Sequence, residues 1–221
     1  MGVDGGIAAD FLNEHHGPEA AQRREVLIVD DEKVMAELTK DMVSMVLPSF
    51  RARTVLCPAE ALVHLCGEGG DKTALMLYDW RMPFIPGTDL ASMVKGERVD
   101  GLDVGANISK LRSSMLANAG GERVHPVDSH SVHILTKTVN REIVYGLRLH
   151  HQVVHKLRNI PTILHTGSPE AHDHSHPDGM NVSRLLKSGH LHDVSSKFCG
   201  VAEFAASIRK ATLNAMRSRR K

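Results

Sequence analysis

Five polar side chains of this sequence stand where predicted strands end. Two acids follow the first strand, one acid follows the third, a hydroxyl follows the fourth and a lysine follows the fifth. They are Asp30, Asp31, Asp79, Thr166 and Lys197. Because the carboxyl ends of parallel strands lie along one edge of a sheet, we expect these side chains to meet around Asp79.

The chemistry open to such a group centres on its carboxylates. Carboxylates packed together repel one another and shift one another's pKa unless a cation intervenes. A hard divalent ion, Mg²⁺ first, is the expected cation because it prefers oxygen ligands. A carboxylate can also act as a nucleophile to form an acyl phosphate. The metal and Lys197 would then hold the phosphoryl oxygens, and Thr166 would offer a hydroxyl donor.

Each residue alone also has an ordinary structural explanation. An Asp pair after a strand often caps a helix, a threonine often occupies a turn, and a lysine is usually a surface charge. The order of the five residues, their strand positions and their spacing together make the functional interpretation more specific than any single residue does.

Two blocks of alternating strand and helix patterns position these residues. Strands are indicated by apolar runs rich in Val, Ile and Leu, and helices by apolar residues at intervals of three and four. The predicted strands are 25–29, 51–56, 75–78, 160–166 and 191–197, and the predicted helices are 33–46, 58–65, 88–95, 180–187 and 201–216. This alternation predicts a parallel sheet with right-handed crossovers.

Two of the predicted helices carry a clear apolar face. The inward residues expected on the helix over 33–46 are Val34, Met35, Leu38, Met42, Val43 and Val46. Those expected on the helix over 201–216 are Phe204, Ala205, Ile208, Leu213 and Met216. Such stripes are typical of helices that cover a sheet.

Three segments fall outside the two blocks. Residues 1–24 are polar and contain Gly5-Gly6, which predicts a flexible N-terminal arm. Residues 97–158 carry two helical stripes and predict an inserted helical hairpin, whose apolar seam must be buried against its partner helix, the main domain or a second chain. Residues 217–221 form a basic tail, which predicts a solvated helix end, with an acidic partner or nucleic acid as the alternative.

The bulk composition is that of a soluble globular protein. The chain has 221 residues and a net charge of +1, so no global field favours nucleic acid or a membrane. No apolar run approaches the length of a membrane helix, and the N-terminus lacks a signal peptide pattern. The 3 cysteines include no CxxC motif and are expected to be reduced. We therefore expect a cytoplasmic location.

Four short motifs surround the five polar residues. They are Val-Leu-Ile-Val-Asp30-Asp31-Glu32, Asp79-Trp-Arg-Met-Pro83, His165-Thr166-Gly167 and Ser196-Lys197. Together they resemble the receiver domain of two-component response regulators. The resemblance covers 25–96 and 159–216 and implies an α/β, flavodoxin-like, doubly wound five-stranded parallel sheet with strand order 2-1-3-4-5. The receiver would then be discontinuous, with 97–158 inserted in it.

The resemblance also implies roles for the acids. Asp79 corresponds to the phosphoacceptor. Asp30 and Asp31 correspond to the acidic pair that organises Mg²⁺, together with Asp79 and the main-chain carbonyl of Arg81. The domain would be regulatory, catalysing at most its own phosphorylation and dephosphorylation.

The remaining implied roles concern signalling. Thr166 corresponds to the hydroxyl that reports the phosphoryl group, and Lys197 to the lysine that binds it. The donor would be a histidine kinase or a histidine phosphotransfer protein. Phosphorylation would shift a two-state equilibrium and act through a downstream protein target. A homodimer through the insertion, or through the face of helix 4, strand 5 and helix 5, is a further expectation.

Two positions depart from the receiver pattern and keep alternatives open. Val194 replaces the usual aromatic switch residue, and Phe198 replaces the usual proline after the lysine. Both departures favour a second hypothesis, a receiver-like scaffold that does not switch. A third hypothesis is a hydrolase of the phosphoaspartate type, which needs a second Asp two residues after Asp79. Arg81 occupies that position and argues against it.

A histidine-rich loop follows Thr166 and could bind metal by itself. It reads His172-Asp-His174-Ser-His176-Pro-Asp178. Histidine and aspartate at alternate positions are ligands for Zn²⁺, Ni²⁺ or Cu²⁺. The structural alternative is a solvated polar loop.

Overall fold

The structure is a computed structural model of the chain. It describes residues 3–17, 22–56, 61, 64–65, 69–82 and 160–218. The helix predicted over 88–95, the inserted hairpin over 97–158 and residues 219–221 of the basic tail lie outside the described residues. The helix predicted over 58–65 is described only in part.

The described strands form one parallel sheet. They are β1 (Glu25–Val29), β2 (Arg51–Val55), β3 (Thr73–Tyr78), β4 (Thr162–Thr166) and β5 (Asp193–Ser196). Their order across the sheet is β2-β1-β3-β4-β5, and each neighbouring pair is parallel. This order confirms the predicted doubly wound, flavodoxin-like fold class.

Helices cover both faces of this sheet. They are α1 (Val3–His16), α2 (Lys33–Val46), the four-residue α3 (Gly69–Lys72), α4 (Pro177–Ser188) and α5 (Val201–Ser218), with a 3-10 turn over Pro169–Ala171. The start of α4 is set by proline at its first position and by the His176 ring, which accepts from the Asp178 N–H. Its end is set by Gly189, which adopts the left-handed conformation at φ 75°. None of the described helices is long and apolar enough to cross a bilayer.

Alternating side chains of the strands build two separate cores. On β1, Leu27 and Val29 belong to the core that includes Val182 and Leu185 of α4. The intervening residues belong to the opposite core, which includes Val43 of α2 and helix α5. Because both faces are covered, Val26–Val29 of β1 and Ala74–Tyr78 of β3 are apolar at every position rather than at alternate positions. Burial of both faces of these strands thus explains the continuous apolar runs in the sequence.

The buried face of α2 differs in part from the predicted one. Val34 and Leu38 were expected to point inward, but they are 73% and 51% exposed. The residues that α2 buries are Ala36, Thr39, Val43 and Val46. Leu213 of α5 was also expected in the core and is 38% exposed. The prediction was correct for Val43 and Val46, which are buried. Close approach of the helix to the sheet favours small residues at the contact, so Ala36 and Thr39 are buried in place of Val34 and Leu38.

The N-terminal segment was predicted to be a flexible arm, but most of it is a helix. Residues 3–16 form α1, which packs against α5 and α2. Ala8 and Leu12 are completely buried, and the His16 ring lies 2.8 Å from the carbonyl oxygen of Ala74 on β3. The local pattern is weak because Gly5 and Gly6 disfavour a helix. Tertiary burial of a small apolar face outweighs this local preference.

Leu12→Ala is therefore expected to lower the free energy of unfolding by about 2–5 kcal/mol, since it leaves a cavity between α1 and the main domain. Urea denaturation measures this loss. Val34→Ala is the matched control because its side chain is mostly exposed, and it should change stability little. Equal unfolding midpoints for the two variants would show that α1 adds no stability.

Candidate functional site

The parallel pairing of β1 with β3 places two carboxylates side by side. Val29 is paired with Tyr78, so the next residue of each strand, Asp30 and Asp79, leaves the sheet at the same edge. The Asp79 N–H donates to the carbonyl of Val29 at 2.9 Å, and the Asp30 N–H donates to the carbonyl of Val55 at 3.1 Å. The backbone of both acids is therefore held by the sheet itself.

Lys197 joins these two carboxylates from the end of β5. Its Nζ lies 2.7 Å from Oδ2 of Asp30 and 3.0 Å from Oδ2 of Asp79. The Lys197 side chain is only 5% exposed, and those of Asp30 and Asp79 are 4% and 11% exposed. Charge-assisted hydrogen bonds of this length between buried groups are strong and directional. The sequence predicted this convergence, and the structure brings the three residues together.

Asp31 completes an acidic cluster with the same two residues. Asp30, Asp31 and Asp79 each offer a carboxylate oxygen, and the three oxygens lie within 4.8 Å of one another. Asp30 also accepts from the N–H of Glu32 at 3.0 Å, and Asp79 accepts from the N–H of Trp80 at 2.7 Å. Three carboxylates face a single lysine, so negative charge is in excess when all are ionised.

The pKa values reflect this crowding. Burial raises the pKa of Asp30 to about 6, although Lys197 lowers it, and the neighbouring Asp79 raises it further. Burial also raises the pKa of Asp31. Burial alone would lower the pKa of Lys197, but hydrogen bonding and charge from Asp30 and Asp79 outweigh it, and the pKa is raised. The lysine is therefore charged at neutral pH, and the acid cluster is short of positive charge.

Thr166 ends strand β4, and Arg81 lies in the loop after β3. Thr166 is the last residue of β4 and is 2% exposed, and its carbonyl accepts from the N–H of Lys197 at 3.0 Å. Its hydroxyl oxygen accepts from the N–H of Ser168 at 3.2 Å. The Arg81 side chain is 61% exposed and lies 3.6 Å from Glu170 and 3.9 Å from Asp178. Its side chain thus links the loop after β3 to the region after β4.

The two departures near β5 do not prevent Lys197 from reaching the acids. Val194 is partly buried and packs against the core on the α4 face. Phe198 is 80% exposed, and its ring lies close to Gly167. A Cβ added at position 167 would lie 3.3 Å from the Phe198 ring. The peptide bonds of the described residues are all trans. Lys197 is therefore presented to Asp30 and Asp79 without the proline that follows it in receivers.

Comparison with solved structures finds a distant structural likeness. A solved structure titled "Crystal structure of response regulator receiver domain Protein from clostridium thermocellum" matches with a TM-score of 0.45 and 13% sequence identity. The match covers 89% of this chain and 96% of that chain. No protein-family model and no curated protein matches the sequence. The fold assignment accordingly depends on the strand order, and the site on its own geometry.

His165 lies next to the site and was not among the predicted site residues. It is 3% exposed, and neither ring nitrogen has a hydrogen-bond partner among the described residues. Its ring centroid lies 5.3 Å from that of Phe204 on α5. Burial lowers the pKa of His165 to about 4, and Lys197 lowers it further while Asp79 opposes the shift. Its position two residues after Ile163 on β4 was the available signal that it faces inward.

His165→Leu is expected to change how stability depends on pH. A histidine whose folded pKa is depressed contributes stability above its unfolded pKa of 6.5 and loses it as pH falls toward about 4. Between about pH 7 and pH 5, the wild type should lose about 2 kcal/mol relative to the variant. Urea unfolding across this range measures the difference. His172→Leu, at an exposed histidine, is the control and should follow the pH dependence of the wild type. If the stability difference between His165→Leu and the wild type does not change with pH, the burial argument is contradicted.

The histidine-rich loop has structural uses. His176 caps α4, and the His174 ring lies 2.7 Å from the hydroxyl of Ser183. Asp173 accepts from the N–H of Ser175 at 2.8 Å. Within the described ranges, the only group of three potential metal ligands is Asp30, Asp31 and Asp79. The geometry therefore favours the polar-loop interpretation of residues 172–178.

Proposed function

We propose that the protein is a phosphorylation-dependent signalling receiver whose phosphoacceptor is Asp79. The observation that carries the proposal is the bridge from Lys197 Nζ to Asp30 and Asp79, beside a third carboxylate. A nucleophilic carboxylate next to a buried cation and a metal-type acid cluster is the arrangement that phosphoryl transfer to a carboxylate needs. An isolated structural ion pair would not need Asp31 nearby.

In the proposed reaction, a carboxylate oxygen of Asp79 attacks the phosphorus of a phosphohistidine donor. The new P–O bond gives an acyl phosphate, and the P–N bond of the donor breaks with its electron pair going to the imidazole. Lys197 then shifts from the Asp79 carboxylate toward the transferred phosphoryl oxygens while keeping its contact with Asp30. Because this cation already stands beside the reacting carboxylate, it can stabilise the charge that develops on those oxygens and so lower the barrier.

The acid cluster fits a divalent cation. Its donors are carboxylate oxygens, which Mg²⁺ prefers. Burial, and to a lesser extent the charge of Asp79, raises the pKa of Asp30 and of Asp31, so a cation bound there would favour the ionised forms. Asp30, Asp31 and Asp79 would hold Mg²⁺ together with the main-chain carbonyl of Arg81. When bound, Mg²⁺ supplies positive charge against the phosphoryl oxygens. The chain's own contribution is to hold these acids on adjacent strand ends of a rigid sheet.

The proposed output is a protein contact. Thr166 stands at the end of β4, and its main chain is bonded to that of Lys197. A phosphoryl group on Asp79 would attract the Thr166 hydroxyl and the lysine together and so move the loops after β4 and β5. The donor would be a histidine kinase or a histidine phosphotransfer protein, and the target a downstream protein. The role is regulatory, with a homodimer as one form of output.

Incubation with acetyl phosphate and Mg²⁺, followed by intact mass measurement, tests the proposal. We expect a gain of one phosphoryl group that is removed by hydroxylamine, which cleaves acyl phosphates, and that does not form in EDTA. Calorimetry with Mg²⁺ alone measures the metal site separately. Mg²⁺ binding without any mass gain would reject the phosphoacceptor role and leave a metal-binding scaffold.

The alternative is a receiver-like scaffold that does not switch. Val194 and Phe198 favour it because the usual aromatic and proline are absent from the β5 region. Amide NMR spectra before and after phosphorylation separate the two functions. The receiver predicts shifts that extend from Asp79 into α4, β5 and α5, whereas the scaffold predicts shifts confined to the residues that contact the phosphoryl group.

A further inference from the structure

A groove lies between α1 and α5, away from the acidic site. It has a volume of about 350 Å³. Its apolar lining comes from Phe11 of α1 and from Ala206 and Leu213 of α5, and its charged lining is basic throughout: Arg209, Lys210 and Arg217. Among the described residues, no carboxylate lines the groove. The acids of α1, Asp10 and Glu14, are exposed and stand outside the lining.

The basic side chains of the groove differ in whether they pair with a carboxylate. Lys210 Nζ lies 2.6 Å from the buried carboxylate of Asp193, which also accepts from the hydroxyl of Ser207. Arg209 and Arg217, by contrast, form no ion pair or hydrogen bond with any described residue. Two arginines without a carboxylate beside an apolar hollow leave a site with unmatched positive charge.

The spacing of the lining residues fits a short helical ligand. Arg209, Leu213 and Arg217 recur every four residues, so one cation stands on each side of an apolar side chain that is 38% exposed. The stretch of α5 from Ala206 to Arg217 is about 16 Å long, which corresponds to about three helical turns. Asn214 bonds to the carbonyl of His192 at 2.8 Å and so is turned toward the domain.

We propose that this groove binds an acidic amphipathic peptide segment of a partner protein. Apolar side chains of the segment would fill the hollow beside Phe11 and Leu213, and its carboxylates would pair with Arg209 and Arg217. The apolar, concave centre favours this partner over nucleic acid, which needs cations along a phosphate track and exposed stacking aromatics. The inference does not depend on the phosphoacceptor role of Asp79.

Selection from a random peptide display library on the immobilised full chain tests the proposal. The enriched peptides should combine acidic with apolar residues. A fluorescent copy of one such peptide should bind about tenfold more weakly to Arg209→Glu/Arg217→Glu, because two favourable charge contacts become repulsive. Its Glu→Gln and Asp→Asn form should weaken similarly on the wild type. Arg209→Gln/Arg217→Gln provides a milder second variant should charge reversal disturb folding.

Arg184→Glu/Lys187→Glu on the exposed face of α4 is the matched control, with the same change in charge away from the groove. It should leave peptide affinity unchanged. Equal affinity of the peptide for the groove variants and the wild type would overturn the proposal, as would a library without acidic and apolar enrichment. Oligothymidylate is the probe for nucleic acid. If it binds more tightly than the peptide, with an affinity that falls as salt rises and that the groove variants abolish, the ligand of the groove is nucleic acid and not a peptide.

Discussion

Asp79→Asn is expected to abolish the phosphoryl mass gain from acetyl phosphate. The amide keeps the size of the side chain and its place at the end of β3, but it is a poor nucleophile and forms no acyl phosphate. The folded state should persist because the sheet still holds the backbone through the bond from this residue to the carbonyl of Val29. Intact mass and circular dichroism measure the two properties separately.

The control for this variant is Asp41→Asn, on the exposed side of α2. It removes the same charge from the chain but should leave phosphorylation at the wild-type level. A phosphoryl group still present on the Asp79→Asn variant would move the phosphoacceptor to another residue, and peptide mapping would locate it. Loss of the mass gain in both variants would instead point to a general effect of charge.

Lys197→Met should produce the largest loss of stability among changes at the site. It removes the cation that two buried carboxylates share and leaves them facing each other. Removing one partner of a buried ion pair lowers the free energy of unfolding by about 3 kcal/mol or more, because the other charge is left buried and uncompensated. In EDTA at neutral pH we therefore expect a large drop in the midpoint of urea unfolding.

Mg²⁺ should restore part of this loss in the Lys197→Met variant, because a ligand that binds only the folded state stabilises it in proportion to its occupancy. The acid cluster without its lysine should bind Mg²⁺ more tightly than the wild type does. Lys210→Met is the matched control, since Lys210 also pairs with a buried carboxylate, that of Asp193, but far from the cluster. A Mg²⁺ effect of the same size on both variants would show that the metal does not act at Asp30 and Asp79.

Local sequence patterns were enough to predict most of the sheet. The runs before Asp30 and Asp79 are apolar at every position because both faces of their strands are covered, and such runs are recognisable without tertiary information. Helix α2 was predicted with the bounds that the structure has, because its apolar residues recur with helical spacing. The order of the strands came from the resemblance of motifs rather than from periodicity.

Other features could not be read from local patterns. Helix α1 contains Gly5 and Gly6, and it is held by packing against α5 and α2 from distant parts of the chain. The inward face of α2 depends on how closely the helix approaches the sheet, and this favoured Ala36 over Leu38. The groove beside Phe11 exists only because α1 packs there.

By itself, then, the sequence determined which chemical groups stand at the strand ends, since periodicity and strand termini are local properties. Only the tertiary structure decided their geometry: the register of β1 and β3 sets Asp30 beside Asp79, and the end of β5 brings Lys197 to within 2.7 Å of one and 3.0 Å of the other. It also decided the burial that raises the pKa of Asp30. Both depend on contacts between residues far apart in the chain, and local sequence carries little information about such contacts.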